Sequence, residues 1–147
     1  MSHVRKQIRD AVATTLTGLT TTGTNVFKGR YFSMQTPKLP ALLVYTTNED
    51  AELSIMGSSR GSDRVLSLVV EGYAISKTIV EDTLDQIAVE VEEAMASDYT
   101  LNGLTRDVRY TGYELDANAD PEQTVAVIRL TFDIKYRVSA GDVETAL

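Results

Sequence analysis

The sequence predicts an α+β fold, in which a mostly antiparallel sheet of about five strands carries two helices on one face. Two observations support this prediction. Two segments repeat apolar residues every three or four positions, as amphipathic helices do. Several shorter segments alternate apolar and polar residues, as half-buried strands do. Along the chain these segments follow in the order α-β-β-β-α-β-β.

The length and composition of the chain limit the class of protein. Its 147 residues fit one domain, which we place at 1–138, followed by a polar tail at 139–147. There is no cysteine, which excludes a disulfide framework and a thiolate metal site. No run approaches the roughly 20 apolar residues that span a bilayer. We therefore expect no membrane insertion. The net charge of −7 repels phosphate backbones, so we also expect no tight nucleic-acid binding.

The first helix is predicted at 3–17. Val4, Ile8, Val12 and Leu16 recur every four residues and form one apolar stripe. Ser2 is the residue type that caps a helix N-terminus, and we expect it to do so here. The glycine-bearing run TGLTTTG then ends the helix.

Three strand-like segments follow, at 25–32, 41–47 and 64–75. In the third, Leu66, Leu68 and Val70 face one way, and the residues between them face the other. The polar, glycine-bearing stretch 48–63 separates the second and third segments. We therefore expect an antiparallel pair joined by a long, flexible hairpin loop.

The second helix is predicted to run to about Ala96. Thr78 and Glu81 form a T-x-x-E capping box at its entry. One face is apolar and the opposite face is acidic. The apolar stripe consists of Leu84, Ile87, Ala88, Val91, Ala94 and Met95.

The last two strands are predicted at 105–115 and 125–138, with a connection at 116–124. Asp116, Asn118 and Asp120 occupy alternate positions, as at the start of a calcium loop. Such a loop needs glycine at its sixth position and glutamate at its twelfth, where this chain has Pro121 and Val127. The stretch is therefore interpreted as two strands joined by a turn.

No other motif predicts catalysis or a metal site. The run 57–61 matches G-x-S-x-G, but a strand follows it, where a nucleophile elbow needs a helix. The chain's single histidine, His3, is interpreted as a solvated side chain. Glu90, Glu92 and Glu93 do not share one helix face, so they are interpreted as a solvated acidic surface. We expect no enzyme activity, no cofactor and no metal ion.

The loop at 48–63 contains the candidate functional residues. Leu53, Ile55 and Met56 are apolar side chains within an otherwise polar stretch, and Arg60 follows them. Long loops in compact domains are uncommon and are often functional. Either the loop folds back on its own domain, or it docks on a neighbouring subunit. The second interpretation makes these four residues the candidate subunit interface.

Several packing and turn signatures together resemble one known family. They are Val4–Ile8, the run TGTNVFKGRYF at 22–32, Leu39–Tyr45 followed by Asn48–Asp50, Asp85–Ala88 leading to Val91-Glu92, Leu101–Leu104, and Leu130–Arg137. The chain resembles the tail terminator proteins of long-tailed bacteriophages, the family that includes the minor tail protein U of lambda-like phages.

The resemblance implies a structural role in the virion tail, after assembly in the host cytoplasm. Six copies would form a ring that caps the head-proximal end of the tail tube, stops tube growth and presents a surface to the head–tail connector proteins. DNA would pass through the bore without specific binding. The alternatives are a head–tail joining protein, a tail tube subunit or, in another class, a small cytoplasmic binding module.

Overall fold

The computed structural model describes residues 2–29, 40–53, 61–76, 80–117, 124–139 and 141–147. Within these ranges the chain forms two helices and one mixed sheet, so the predicted α+β class and element order are confirmed. Neither helix combines the length and the apolar character needed to cross a membrane.

The helices are α1, Val4–Leu16, and α2, Val80–Ser97. The predicted stripe of α1 is fully buried at Val4, Ile8, Val12 and Leu16. The stripe of α2 is buried in the same way, apart from the partly exposed Ala94. Thr78 of the expected capping box lies outside the described residues.

The strands are β1, Val26–Lys28; β2, Ala41–Leu53; β3, Gly61–Ser76; β4, Asp107–Ala117; β5, Thr124–Ser139; and β6, Asp142–Ala146. Their order across the sheet is β1-β2-β3-β5-β4, and β6 also pairs with β5. The β1–β2 pair is parallel, and the other pairs are antiparallel. β1 and β4 therefore lie at opposite edges of the sheet.

Both helices pack on one face of this sheet, as predicted. Leu66, Leu68 and Val70 of β3 point into the main core with the helix stripes and with the even-numbered residues of β5. The opposite face carries a smaller apolar cluster of Leu43, Tyr45 and Val69. The rest of that open face is largely polar, because the odd positions of β5 carry Arg129, Thr131, Asp133, Lys135 and Arg137.

Two predictions of irregular structure were wrong. Residues 48–53 and 61–63 are paired strand, with Asn48 opposite Ser67 and Leu53 opposite Ser62. Only residues 54–60 of the expected 48–63 loop lie outside the described strands. The polar tail contains β6, which pairs with the end of β5 through Val138 and Ala146. In both places the backbone hydrogen bonds between neighbouring strands form although the side chains are mostly polar.

The predicted cap of α1 was also wrong by one position. His3, not Ser2, is the N-cap, and its ring Nδ1 accepts a hydrogen bond of 3.0 Å from the Arg5 backbone N–H. His3 is therefore a half-buried capping residue, not a solvated side chain. Burial lowers the pKa of the imidazole, and the nearby Arg5 charge lowers it further, which keeps the ring neutral and able to accept this bond.

Candidate assembly surfaces

The β2–β3 hairpin presents the first candidate surface. Leu53 is the last residue of β2, and 54% of its surface is exposed. Ile55, Met56 and Arg60, the other candidate interface residues, lie outside the described residues. The structure therefore places one of the four, at the outer end of a long paired hairpin with no covering element described.

A polar cluster fixes the hairpin to α1. The Glu49 carboxylate of β2 accepts hydrogen bonds from Arg5 at 3.0 Å and from Arg64 at 3.3 Å. It also accepts one from the Tyr136 hydroxyl. Burial, followed by the bond to Glu49, raises the pKa of Tyr136 to about 12, so the phenol stays protonated as a donor. The base of the hairpin is thus positioned by charge-assisted bonds.

A second polar cluster lies on the open face. Glu71, which is only 5% exposed, accepts hydrogen bonds from the Tyr45 hydroxyl, from the Tyr73 hydroxyl at 2.6 Å and from Arg129 Nε at 3.1 Å. Burial, followed by the bond to Glu71, raises the pKa of Tyr73 to about 12. Because the buried carboxylate is paired and fully hydrogen-bonded, the cluster is interpreted as structural.

An open groove lies between α2 and β4, at the β4 edge of the sheet. Its volume is about 260 Å³. The lining residues are Asp85, Ala88, Val89 and Glu92 of α2, Tyr110 and Tyr113 of β4, and Ile128 and Leu130 of β5. The Tyr110 ring packs against the core ring of Phe132, with centroids 5.7 Å apart. Val89 and Tyr113 of this lining are exposed, as is the nearby Leu115 of β4, which makes this edge apolar as well as open.

The sequence did not predict this groove, because a β-bulge creates it. The register of β4 against β5 shifts between Tyr110 and Gly112. Tyr110 is opposite Phe132, and Tyr113 is opposite Leu130, so both tyrosines point to the helix side. Strict alternation would have placed residues 110 and 113 on opposite faces. Gly112 could have indicated the bulge, since glycine within a strand pattern often marks one.

The structure also bears on the candidate metal and acidic positions. Asp116 and Val127, the first and twelfth positions of the calcium pattern, are cross-strand partners in β4 and β5. This confirms the interpretation as two strands; Asn118, Asp120 and Pro121 lie outside the described residues. Within the described ranges, no group of three or more His, Asp or Glu side chains could hold a metal ion.

Glu90 is not simply part of a solvated acidic surface. Its carboxylate accepts hydrogen bonds from the Thr21 backbone N–H, at 2.8 Å, and from the Thr21 hydroxyl. Burial alone would raise the pKa of Glu90, but the hydrogen bonds from Thr21, Gln86 and Thr20 together outweigh burial and leave that pKa lowered. Glu90 therefore ties α2 to the turn after α1.

Comparison with known proteins identifies the family of this chain. A solved structure, described as the virion of a native gene transfer agent particle, is similar over 90% of this chain and 92% of its own, at 11% identity and a TM-score of 0.34. No curated protein matches the sequence. The family model of phage minor tail protein U matches residues 3–136. The chain belongs to the phage minor tail protein U family, and is thus a structural protein of the virion tail.

Proposed function

We propose that this tail protein is the tail terminator: six copies form a ring on the head-proximal end of the tail tube, stop its growth and present a surface to the head–tail connector. The observation that carries this proposal is the exposed Leu53 at the outer end of the β2–β3 hairpin. An apolar side chain exposed at the end of a strand does little for the fold of its own chain. Its position suits a contact with another subunit.

A closed ring of identical copies needs a heterologous interface, in which two different patches of each subunit meet. On this proposal the hairpin tip, with Leu53, Ile55, Met56 and Arg60, supplies one contact. DNA passes through the bore without specific binding, which agrees with the net charge of −7.

The test replaces the apolar residues of the tip. In a triple variant, Leu53, Ile55 and Met56 are changed to Ser, and ring formation on purified tail tubes is followed by negative-stain imaging. We expect rings to be lost while the melting temperature of the monomer changes little, because the exposed Leu53 contributes little to the stability of its own chain. Leu147→Ser is the matched control, since Leu147 is 56% exposed and follows β6, which is separated from β2 by β3 and β5.

The same images separate the alternatives. A wild-type ring at one tube end supports the terminator. Incorporation along the tube would identify a tube subunit, and binding to connectors without tubes would identify a joining protein. A monomer that ignores tubes and connectors would favour a small binding module. Normal rings in the folded triple variant would exclude the hairpin tip as the interface.

A further inference from the structure

The exposed apolar surface of the described residues is concentrated at one edge of the molecule. Val89, Tyr110, Tyr113 and Leu115 are large exposed apolar side chains on α2 and β4, and Tyr113 is 59% exposed. They lie around the α2–β4 groove, and two carboxylates, Asp85 and Glu92, line the same groove. Contiguous exposed apolar surface with a polar rim is typical of an interaction site.

The helix at this edge carries charge of one sign. α2 has six acidic residues and no basic residue; they are Glu81, Asp82, Asp85, Glu90, Glu92 and Glu93. A partner surface for the groove should therefore carry positive charge.

The opposite edge of the same molecule has that charge. α1 contains Arg5, Lys6 and Arg9 but only one acidic residue, Asp10. Lys28 lies on the edge strand β1 and pairs with Asp10 at 3.1 Å, while Lys6 pairs with the other oxygen of Asp10 at 2.7 Å. Both lysine side chains remain 51% exposed. Each ammonium group has three donors, so a contact with Asp10 leaves capacity for a second carboxylate.

We propose that the α2–β4 groove receives the α1–β1 edge of a second copy of this chain. Asp85 and Glu92 would then face Lys6 and Lys28 of the neighbour. Tyr110, Tyr113 and Val89 would cover the apolar side-chain carbons of these two lysines. The two surfaces differ and lie at opposite edges of the sheet, as a closed head-to-tail ring requires. The inference rests on the proposed ring and assigns it a lateral contact, in addition to the hairpin tip.

Charge reversal tests this contact. A groove-reversed variant carries Asp85→Lys and Glu92→Lys, and an edge-reversed variant carries Lys6→Glu and Lys28→Glu. Each alone places like charges opposite one another, and we expect at least about tenfold weaker self-association, measured by sedimentation and by ring counts on tubes.

The decisive experiment mixes the two variants. In an equimolar mixture, a reversed groove can meet a reversed edge and a native groove can meet a native edge. Rings of alternating variants should therefore form although neither variant forms them alone. The matched control carries Asp82→Lys and Glu93→Lys, which make the same charge change at exposed positions on the side of α2 away from the core. This control should assemble at least as well as the wild type.

Each contrary result has a distinct meaning. Wild-type-like rings from the groove-reversed variant would overturn this inference alone, as would a mixture that fails although both variants are folded by circular dichroism. Rings that form normally but no longer cap tubes would assign the groove to the tube protein, and would also overturn it. If the wild type forms no ring with tubes present, the proposed function itself fails.

Discussion

Gly72 illustrates how closely the sheet and α2 approach one another. A Cβ at this position of β3 would lie 2.8 Å from Ile87 Cγ2 and 3.2 Å from Ile128 Cγ2. Both neighbours are buried, β-branched side chains with little freedom to move. We expect Gly72→Ala to lower the free energy of unfolding by about 1–3 kcal/mol, measured by urea denaturation, because overpacking strains a closed core.

Gly141→Ala is the control for this prediction. A Cβ at Gly141 would meet nothing within 4 Å. The free energy of unfolding of the Gly141→Ala variant should differ from that of the wild type by no more than about 0.5 kcal/mol. If the two variants have equal stability, the contact between β3 and α2 is looser than the structure indicates.

At this scale the sequence predicts residue types better than roles. The apolar stripes of both helices were predicted correctly, because burial follows from periodicity alone. The roles of His3, Glu90 and Glu71 were not, because their partners are set by backbone geometry or by distant strands. Glu71 and Arg129, for example, are adjacent only because β3 pairs with β5.

Among the elements, β6 is the one that composition predicts least. Its residues are mostly polar, yet Val143 and Ala146 pack against the main core. The Gln7 side chain of α1 also donates a 2.7 Å hydrogen bond to the Glu144 carbonyl. We expect Val143→Ser to lower the free energy of unfolding by about 1 kcal/mol, since a partly buried valine contributes part of its full burial energy.

Thr145→Ser provides the comparison within the same strand. Thr145 is exposed, and this change likewise replaces a β-branched residue with serine. Urea denaturation should separate the two variants if β6 is packed against the core. If both variants lower the free energy of unfolding equally, the effect comes from strand propensity alone. The polar composition of β6 would then be the better guide, and β6 would not be packed against the core.

The β2–β3 hairpin and the α2–β4 groove show why the sequence did not predict every feature of the sheet. Residues 48–53 carry acidic and amide side chains that resemble a loop, but the backbone ladder with β3 continues through them. In β4 and β2, a bulge changes which residues share a face. Alternation is reliable only between bulges, so the regular strand β5 was predicted well and the Tyr110–Tyr113 surface was missed.

For the whole molecule, two electrostatic effects act on assembly in opposite directions. Copies with a net charge of −7 repel one another at long range. The proposed contact between the groove and the α1–β1 edge attracts at short range. The Debye length is about 30 Å at 0.01 M salt, about 10 Å at 0.1 M and about 3 Å at 1 M, so salt screens the long-range repulsion first.

Ring formation should therefore pass through a maximum as the salt concentration rises. Moderate salt removes repulsion between whole subunits, while concentrated salt also weakens the exposed ion pairs. In the Asp82→Lys and Glu93→Lys control, which lowers the net negative charge without touching the groove, the maximum should shift to lower salt, as measured by sedimentation across a salt series. A steady rise with salt would instead mean that apolar contacts alone hold the ring together. The charge asymmetry between α1 and α2 would then have no part in assembly.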